Sequence, residues 1–226
     1  FPLPFTDVLE IIPQSTPSET SVIFSSTGLV IPGETQSNLC LKAYHLLKIK
    51  FPELPSIQMH LHKNIPMGAG LGGGSSDGAF AIRLMNEKFK FGMSDEQMQE
   101  MALDLGSDCP FFIKNITVQA NGRGEIMHPI SLDLSNKKIV LVLPGIHVST
   151  ANAFKNCPIH EDAIPCSSVL EKPMSTWKDD LINDFEATVF PQYPALENIK
   201  NTLYKIGAIY ASMSGTGSSV YGIFSE

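Results

Sequence analysis

Between Ser56 and Lys63 apolar and polar residues alternate, with Ile57, Met59 and Leu61 on one face and Gln58, His60 and His62 on the other. A period of two predicts a half-buried strand in an antiparallel or mixed sheet. Elsewhere the period is helical. Leu39, Ala43, Leu46 and Leu47 predict a helix starting near Ser37, with Asn38 in its first turn. Phe80, Ala81, Leu84 and Met85 predict another over 75–89, with Ser75 and Ser76 as caps and Asp77 favouring its first turn. Ser94-Asp95-Glu96-Gln97 reads as a capping box opening a third helix, with Met98, Met101, Ala102 and Leu105 inward and Gly106 as its stop.

The remaining pattern is more broken. Residues 1–13 read as extended, with Val8, Leu9, Ile11 and Ile12 as core candidates and Asp7 and Glu10 as polar interruptions. A Ser/Thr/Pro turn is expected at 15–20 and a short strand at 22–24. A weak strand at 117–120 runs into the turn Asn121-Gly122-Arg123-Gly124, and an apolar strand follows at 138–143. Residues 156–174, rich in Pro, Cys and Ser, read as an irregular excursion. Helical character returns from Trp177 through Leu181, Phe185 and Val189, and again over 194–206 up to Gly207. Strands at 209–213 and 220–224 flank the small-residue loop 214–219. The pattern is that of an α+β chain with a domain boundary near Ser135, giving domains over 1–134 and 135–226.

The strand at 56–63 and the helix after it are joined by Pro66-Met67-Gly68-Ala69-Gly70-Leu71-Gly72-Gly73-Gly74-Ser75-Ser76. Strand, glycine loop, helix start is the order in which a protein presents bare backbone N–H groups to an anion. No Gly-Lys-[Ser/Thr] ends the run, so it is not a P-loop. A Gly-x-Gly-x-x-Gly does occur at Gly68, Gly70 and Gly73, but the alternating strand before it is unlike the buried strand a dinucleotide fold requires. A flexible linker is disfavoured because Leu71 sits within the run and helix-start signals follow at once. A nucleotide-phosphate cradle is expected. Lys63, at the end of the strand, adds a charge to the nucleotide or is a solvated strand-end lysine; spacing does not separate the two.

Two other stretches bear on chemistry. Asp108 stands before Cys109-Pro110-Phe111-Phe112, where the residue preceding Pro110 is biased toward extended backbone. It either caps its own turn or faces a cleft as a carboxylate able to accept or orient the proton of an attacking hydroxyl. The loop 214–219 is a hairpin turn, or a second place where backbone approaches the same ligand closely. His60 and His62 share a strand face, but without a third ligand a solvated pair outweighs a metal pair.

Composition narrows the class. A chain of 226 residues with a formal charge of -7 is an acidic globular protein, not a dedicated nucleic-acid binder. Its four cysteines lack Cys-x-x-Cys spacing and read as reduced thiols in a cytoplasmic setting, and no apolar run approaches membrane-spanning length. The chain opens at Phe1 and stops at Glu226 directly after a strand-like run, so both ends read as interrupted.

Taken together, residues 66–76 resemble the ATP-binding glycine motif of the GHMP kinases (galactokinase, homoserine, mevalonate and phosphomevalonate kinases). The triple glycine is similar to the branch acting on a cytidine-diphosphate-linked methylerythritol. Asn38-Leu39, Leu105-Gly-Ser-Asp108-Cys-Pro-Phe-Phe112, Pro144-Gly-Ile-His-Val-Ser-Thr150, Asn183-Asp-Phe-Glu186 and Ser212-Met-Ser-Gly-Thr-Gly217 agree with it in order. The resemblance implies two α+β domains, the first like ribosomal protein S5 and the second ferredoxin-like, with the active site in the cleft between them. It implies ATP-dependent phosphorylation of the 2-hydroxyl of the methylerythritol moiety in isoprenoid precursor biosynthesis, with Mg2+ accompanying ATP. Residue by residue it implies ATP contacts from Pro66, Met67, Gly68, Ala69, Gly70, Leu71, Gly72, Gly73, Gly74, Ser75 and Ser76. Asn38 and Lys63 are then expected near the adenosine end, and Asp108 as catalytic base or hydroxyl-orienting group. Phe154 is expected to stack on cytosine, with Thr150, Ser214, Gly215 and Thr216 also on the substrate. The family's catalytic lysine, in an Ala-Lys-Ile-Asn segment, and its cytidine-gripping Gly-Tyr-His segment are expected before Phe1, and a helix and strand after Glu226. Without that lysine, residues 1–226 alone are not expected to catalyse. Alternatives are another small-alcohol kinase such as a mevalonate type, which the triple glycine and Asp108-Cys-Pro-Phe-Phe disfavour, and a non-catalytic nucleotide-binding module.

Overall fold

The computed structural model describes residues 1–14, 21–158 and 164–226, so the turn expected at 15–20 and part of the excursion at 156–174 lie outside the described residues. Contacts group the chain into two compact units: Phe1–Met67 with Gly72–Pro129, and Gly68–Leu71 with Ile130–Glu226. Among the described residues no helix is long and apolar enough to cross a membrane.

The first unit is built on a sheet of β1 (Val8–Pro13), β2 (Val22–Gly28) and β3 (Ile57–Lys63), in the order β1-β3-β2. The central β3 runs antiparallel to β1, with Ile11 opposite Met59, and parallel to β2, with Gly28 opposite Lys63. Its alternation is realised: Ile57, Met59, Leu61 and then Lys63 all point into the protein. The same period divides β1, where Ile11 is buried while Val8 and Ile12 face out, so only half of its four apolar residues serve the core. The parallel β2–β3 pair is connected through a 3-10 turn (Thr35–Ser37) and α1 (Leu39–Lys50). Asn38 is the cap of α1 and not part of its first turn: its side chain accepts the Cys40 N–H at 2.9 Å.

Next come α2 (Gly73–Phe89), α3 (Asp95–Leu103), α4 (Cys109–Lys114) and the hairpin of β4 (Val118–Asn121) and β5 (Ile126–Pro129). The capping box forms as expected, Ser94 and Gln97 each bonding the other's backbone. Two elements differ from the sequence-based expectation. The helix expected from Ser75 starts at Gly73, capped by the left-handed backbone of Gly72, so the serines lie inside it. Cys109 and Pro110 are helical, because proline near a helix start lacks only an N–H that has no partner there anyway. Tyr44 and Leu47 of α1, Met59 and Leu61 of β3, and Ile82 and Met85 of α2 are fully enclosed together.

The second unit contains β6 (Lys137–Val142), α5 (Thr150–Lys155), α6 (Cys166–Leu170), α7 (Trp177–Asp180), α8 (Glu186–Val189), α9 (Pro194–Lys205), β7 (Tyr210–Met213) and β8 (Val220–Ser225). Its antiparallel sheet has the order β6-β8-β7. The helical character expected from Trp177 onward resolves into α7 and α8 with a break between them. There the Asn183 side chain accepts the Phe185 N–H at 3.0 Å, a local bond that competes with helix continuation. Leu196 and Leu203 of α9 pack with Met213 and Val220 of the sheet.

Ile82 is 0% exposed within the first core. Ile82→Ala is expected to lower unfolding free energy by about 2–5 kcal/mol through lost burial and a residual cavity, read from urea denaturation; a loss under about 0.5 kcal/mol would contradict this packing.

Candidate active site

The glycine loop begins where β3 ends, and buried charge fixes that end. Lys63 is 1% exposed, and its ammonium donates to Asp7 Oδ2 at 2.5 Å and to Asp77 Oδ2 at 2.6 Å. Asp7 Oδ1 also accepts the backbone N–H groups of Asn64 (2.6 Å) and Ile65 (2.9 Å), and the Asn64 side chain donates to the Thr6 carbonyl at 3.0 Å. The segment entering the loop is thereby tied to the segment preceding β1, and Lys63 ties both to α2. Burial pushes the Asp7 carboxyl up, but the hydrogen bonds from Lys63, Ile65 and Asn64 outweigh it and hold the group below its ordinary value. Asp77 goes the other way: burial raises it to about 7, against the pull of Lys63.

Lys63 therefore presents no exposed charge. Its placement was legible in the alternation itself, since it follows Leu61 by two and continues the inward face.

Within the loop Gly68, Gly70 and Gly72 take positive φ of 68°, 74° and 66°. Alternation of left-handed with ordinary backbone turns successive N–H groups toward a common point, the geometry of an anion nest. The first helical bond joins Ser76 N–H to the Gly72 carbonyl, so the Gly73, Gly74 and Ser75 amides have no acceptor in the helix. Pro66 is half-buried, Met67 exposed and Ala69 buried. Beside the loop is a pocket lined by Phe24, Glu34, Asn38, Met67, Gly74 and Asp77. Asn38 is held at its wall by its capping bond.

The tip, Gly68–Leu71, groups with the second small-residue loop. Ser214 Oγ donates to the Gly70 carbonyl at 2.7 Å, and the Ser219 N–H donates to the Ala69 carbonyl at 3.0 Å. A Cβ on Gly70 would stand 2.1 Å from the Ser214 carbonyl oxygen, so only glycine permits this approach. The second loop is itself pinned: Asn183 Nδ2 donates to the carbonyls of Met213 and Gly215, both at 2.8 Å. Glu186 accepts the Met213 N–H at 2.8 Å and the Lys200 ammonium at 2.5 Å. The sequence assigns no role to Asn183 or Glu186, although both belong to the Asn-Asp-Phe-Glu stretch that agrees with the family.

Asp108 is exposed at the head of α4 and makes no capping hydrogen bond; its Oδ1 lies 3.7 Å from where a Cβ on Gly124 would stand. Phe154 in α5 is 63% exposed and meets Phe185 edge to face at 4.8 Å, leaving much of its ring to solvent. Thr150 and Thr216 bring their hydroxyls to 3.4 Å, and Gly215 between the loop residues is exposed. His60 bonds the hydroxyls of Ser25 and Thr27, and His62 that of Thr27, on the outer sheet face. Among the described residues no group of three His, Cys, Asp or Glu could hold a metal ion.

Residues 38–115 match the GHMP kinases N terminal domain and residues 170–226 the GHMP kinases C terminal. The chain is 48% identical to the 4-diphosphocytidyl-2-C-methyl-D-erythritol kinase of Cytophaga hutchinsonii over 99% of its own length and 81% of that protein. The enzyme of the same name from Bacteroides fragilis is also 48% identical, over 100% of this chain and 81% of the relative. A crystal structure of 4-(cytidine 5'-diphospho)-2C-methyl-D-erythritol kinase superposes with a TM-score of 0.78 at 26% identity, covering 96% of this chain and 76% of the other. A homoserine kinase from Cytophaga hutchinsonii shares the fold at a TM-score of 0.75 and 15% identity, with 97% and 76% covered. With both domain signatures present and close identity running through nearly all of its length, the chain belongs to the GHMP kinase family.

Proposed function

We propose that this chain carries the nucleotide and substrate sites of an enzyme that phosphorylates the 2-hydroxyl of 4-diphosphocytidyl-2-C-methyl-D-erythritol with ATP, a step in isoprenoid precursor biosynthesis. The observation carrying the substrate assignment is 48% identity over 99% of this chain to a relative of that name, since the fold alone is shared with homoserine kinase. The loop geometry supports the chemistry. Phosphoryl transfer asks little covalent work of a protein and depends on positioning and charge stabilisation. Residues 66–76 supply backbone donors to the phosphates, through the nest of positive-φ glycines and the unbonded amides that open α2. Asn38 and the pocket beside it take the adenosine end, while Lys63 acts on the nucleotide through the loop it anchors.

ATP is taken as its magnesium complex. Magnesium keeps several waters and binds largely through substrate phosphates, so it requires no all-protein cage. The ion supplies charge neutralisation on the transferring phosphoryl group. Asp108, exposed and without capping duty, accepts or orients the proton of the attacking hydroxyl. Phe154 offers its ring to the cytosine, with Thr150, Ser214, Gly215 and Thr216 beside the substrate. All four cysteines are free thiols, which supports a cytoplasmic setting.

The full-length protein is expected to consume ATP with 4-diphosphocytidyl-2-C-methyl-D-erythritol; turnover of mevalonate in its place would overturn the assignment. Asp108→Ala should lower kcat by about 10²–10⁴-fold with an unchanged circular dichroism spectrum, and a near-wild-type rate would remove Asp108 from the chemistry. Gly70→Ala, strained at φ +74° and blocked by the Ser214 carbonyl, is expected to raise the KM for ATP at least about tenfold by displacing the loop tip. An unaltered KM would mean that the docking of Gly70 on Ser214 is dispensable.

A further inference from the structure

The cluster beneath the glycine loop contains two carboxylates for one ammonium, all three nearly closed to solvent, with side-chain exposures of 0% for Lys63, 5% for Asp7 and 8% for Asp77. Fully ionised, it would hold a net negative charge inside the protein. Asp7 is satisfied as an anion by three donors: the Lys63 ammonium and the amides of Asn64 and Ile65. Asp77 receives the Lys63 ammonium and lies against the Asp7 carboxyl, which further favours its neutral form. The cluster also touches the loop directly, since a Cβ on Gly73, the first residue of α2, would lie 3.2 Å from Lys63 Nζ. Asp77 in turn lines the pocket beside the loop.

We propose that Asp7, Lys63 and Asp77 are positioning residues that clamp the glycine loop from beneath, and that the clamp is in its working state when Asp77 carries a proton and the cluster is neutral. This rests on the nucleotide reading of the loop. A second anionic charge on the pocket wall would oppose a polyphosphate, whereas a protonated Asp77 still bonds Lys63 and adds no field. Among the described residues, the other titratable groups shown around Asp77 do not supply the missing positive charge. From α1 comes Cys40, whose thiol burial drives far above its usual range and so keeps neutral; the pocket wall adds Glu34, a further carboxylate. Burial places Asp77's own titration at about 7, within the physiological range.

The sign of the pH dependence follows. A carboxyl raised in the folded state binds its proton more tightly there than in the unfolded chain. It therefore stabilises the fold below its unfolded value of 3.8, and that contribution disappears as pH rises through about 7. Asp7, held low, contributes in the opposite sense, and its share is lost only below its ordinary range.

The test compares the full-length protein with Asp77→Asn, which keeps the shape and cannot ionise. Thermal midpoints without ligand are expected to fall relative to Asp77→Asn by about 4 °C between about pH 5 and about pH 8.5. ADP affinity by calorimetry should weaken about tenfold relative to Asp77→Asn over the same span; titration of the ADP phosphate itself cancels in that ratio. Lys63→Met, measured in parallel, should lose most stability at the alkaline end, where the Asp7 and Asp77 carboxylates face each other without the ammonium between them. A midpoint difference that does not change with pH in either variant overturns the shared-proton clamp. An affinity ratio flat with pH, beside a midpoint difference that does change, overturns its coupling to the nucleotide. Failure of the wild type to bind ADP at any pH overturns the nucleotide reading instead, and the ligand-free midpoints still decide the clamp.

Discussion

A single buried ammonium holds the first unit's functional end together. Lys63 closes β3, and no charge can be placed in that position without partners, because an isolated buried ion would cost far more than a domain's net stability. Its partners come from well-separated parts of the sequence: Asp7 from the segment before β1 and Asp77 from α2. Satisfying one cation thus fixes the sheet end, the loop entrance and the helix start relative to each other. Such a cluster is weak evidence for stability, since apolar substitutes often do as well. What it provides here is a defined register at the one place where backbone must be aimed.

The glycine loop turns that fixed base into a surface. After Lys63 the chain soon carries few side chains, and of those in the glycine run Ala69 is buried while Met67 is exposed. The Ser214–Ser219 loop supports the tip by hydrogen bonds to the carbonyls of Ala69 and Gly70, and Asn183 and Glu186 support that loop in turn. Both loops are tied down in the same way. Polar groups that the backbone leaves open are answered by side chains fixed elsewhere, which costs little further ordering when a ligand arrives.

Side-chain chemistry is spread thinly around this backbone framework. Asp108 and Phe154 are both exposed, the one immediately before a six-residue helix and the other within one. Neither is committed to the interior: Asp108 does not cap its helix, and Phe154 meets Phe185 only by an edge. A carboxylate and an aromatic face left uncommitted in this way suit transient partners better than structural ones.

Much of this was legible in the sequence because it depends on local rules. The alternation of Ile57, Met59 and Leu61, the Ser94 capping box, the helical periods and the order of the motifs are properties of short windows, and each survives in the fold. The family resemblance was legible for the same reason, its motifs being contiguous stretches. What local windows could not supply were partners. Asp7 reads as an interruption in an apolar strand until Lys63 stands beside it, and Asp77 reads as a helix-start acid until burial raises its affinity for a proton. Ser75 and Ser76 look like caps, yet the left-handed Gly72 starts the helix earlier. The sequence by itself determined where backbone would be bare and which residues faced inward. Tertiary structure alone decided which charges met, because the worth of a buried charge is set by neighbours that lie far away along the chain.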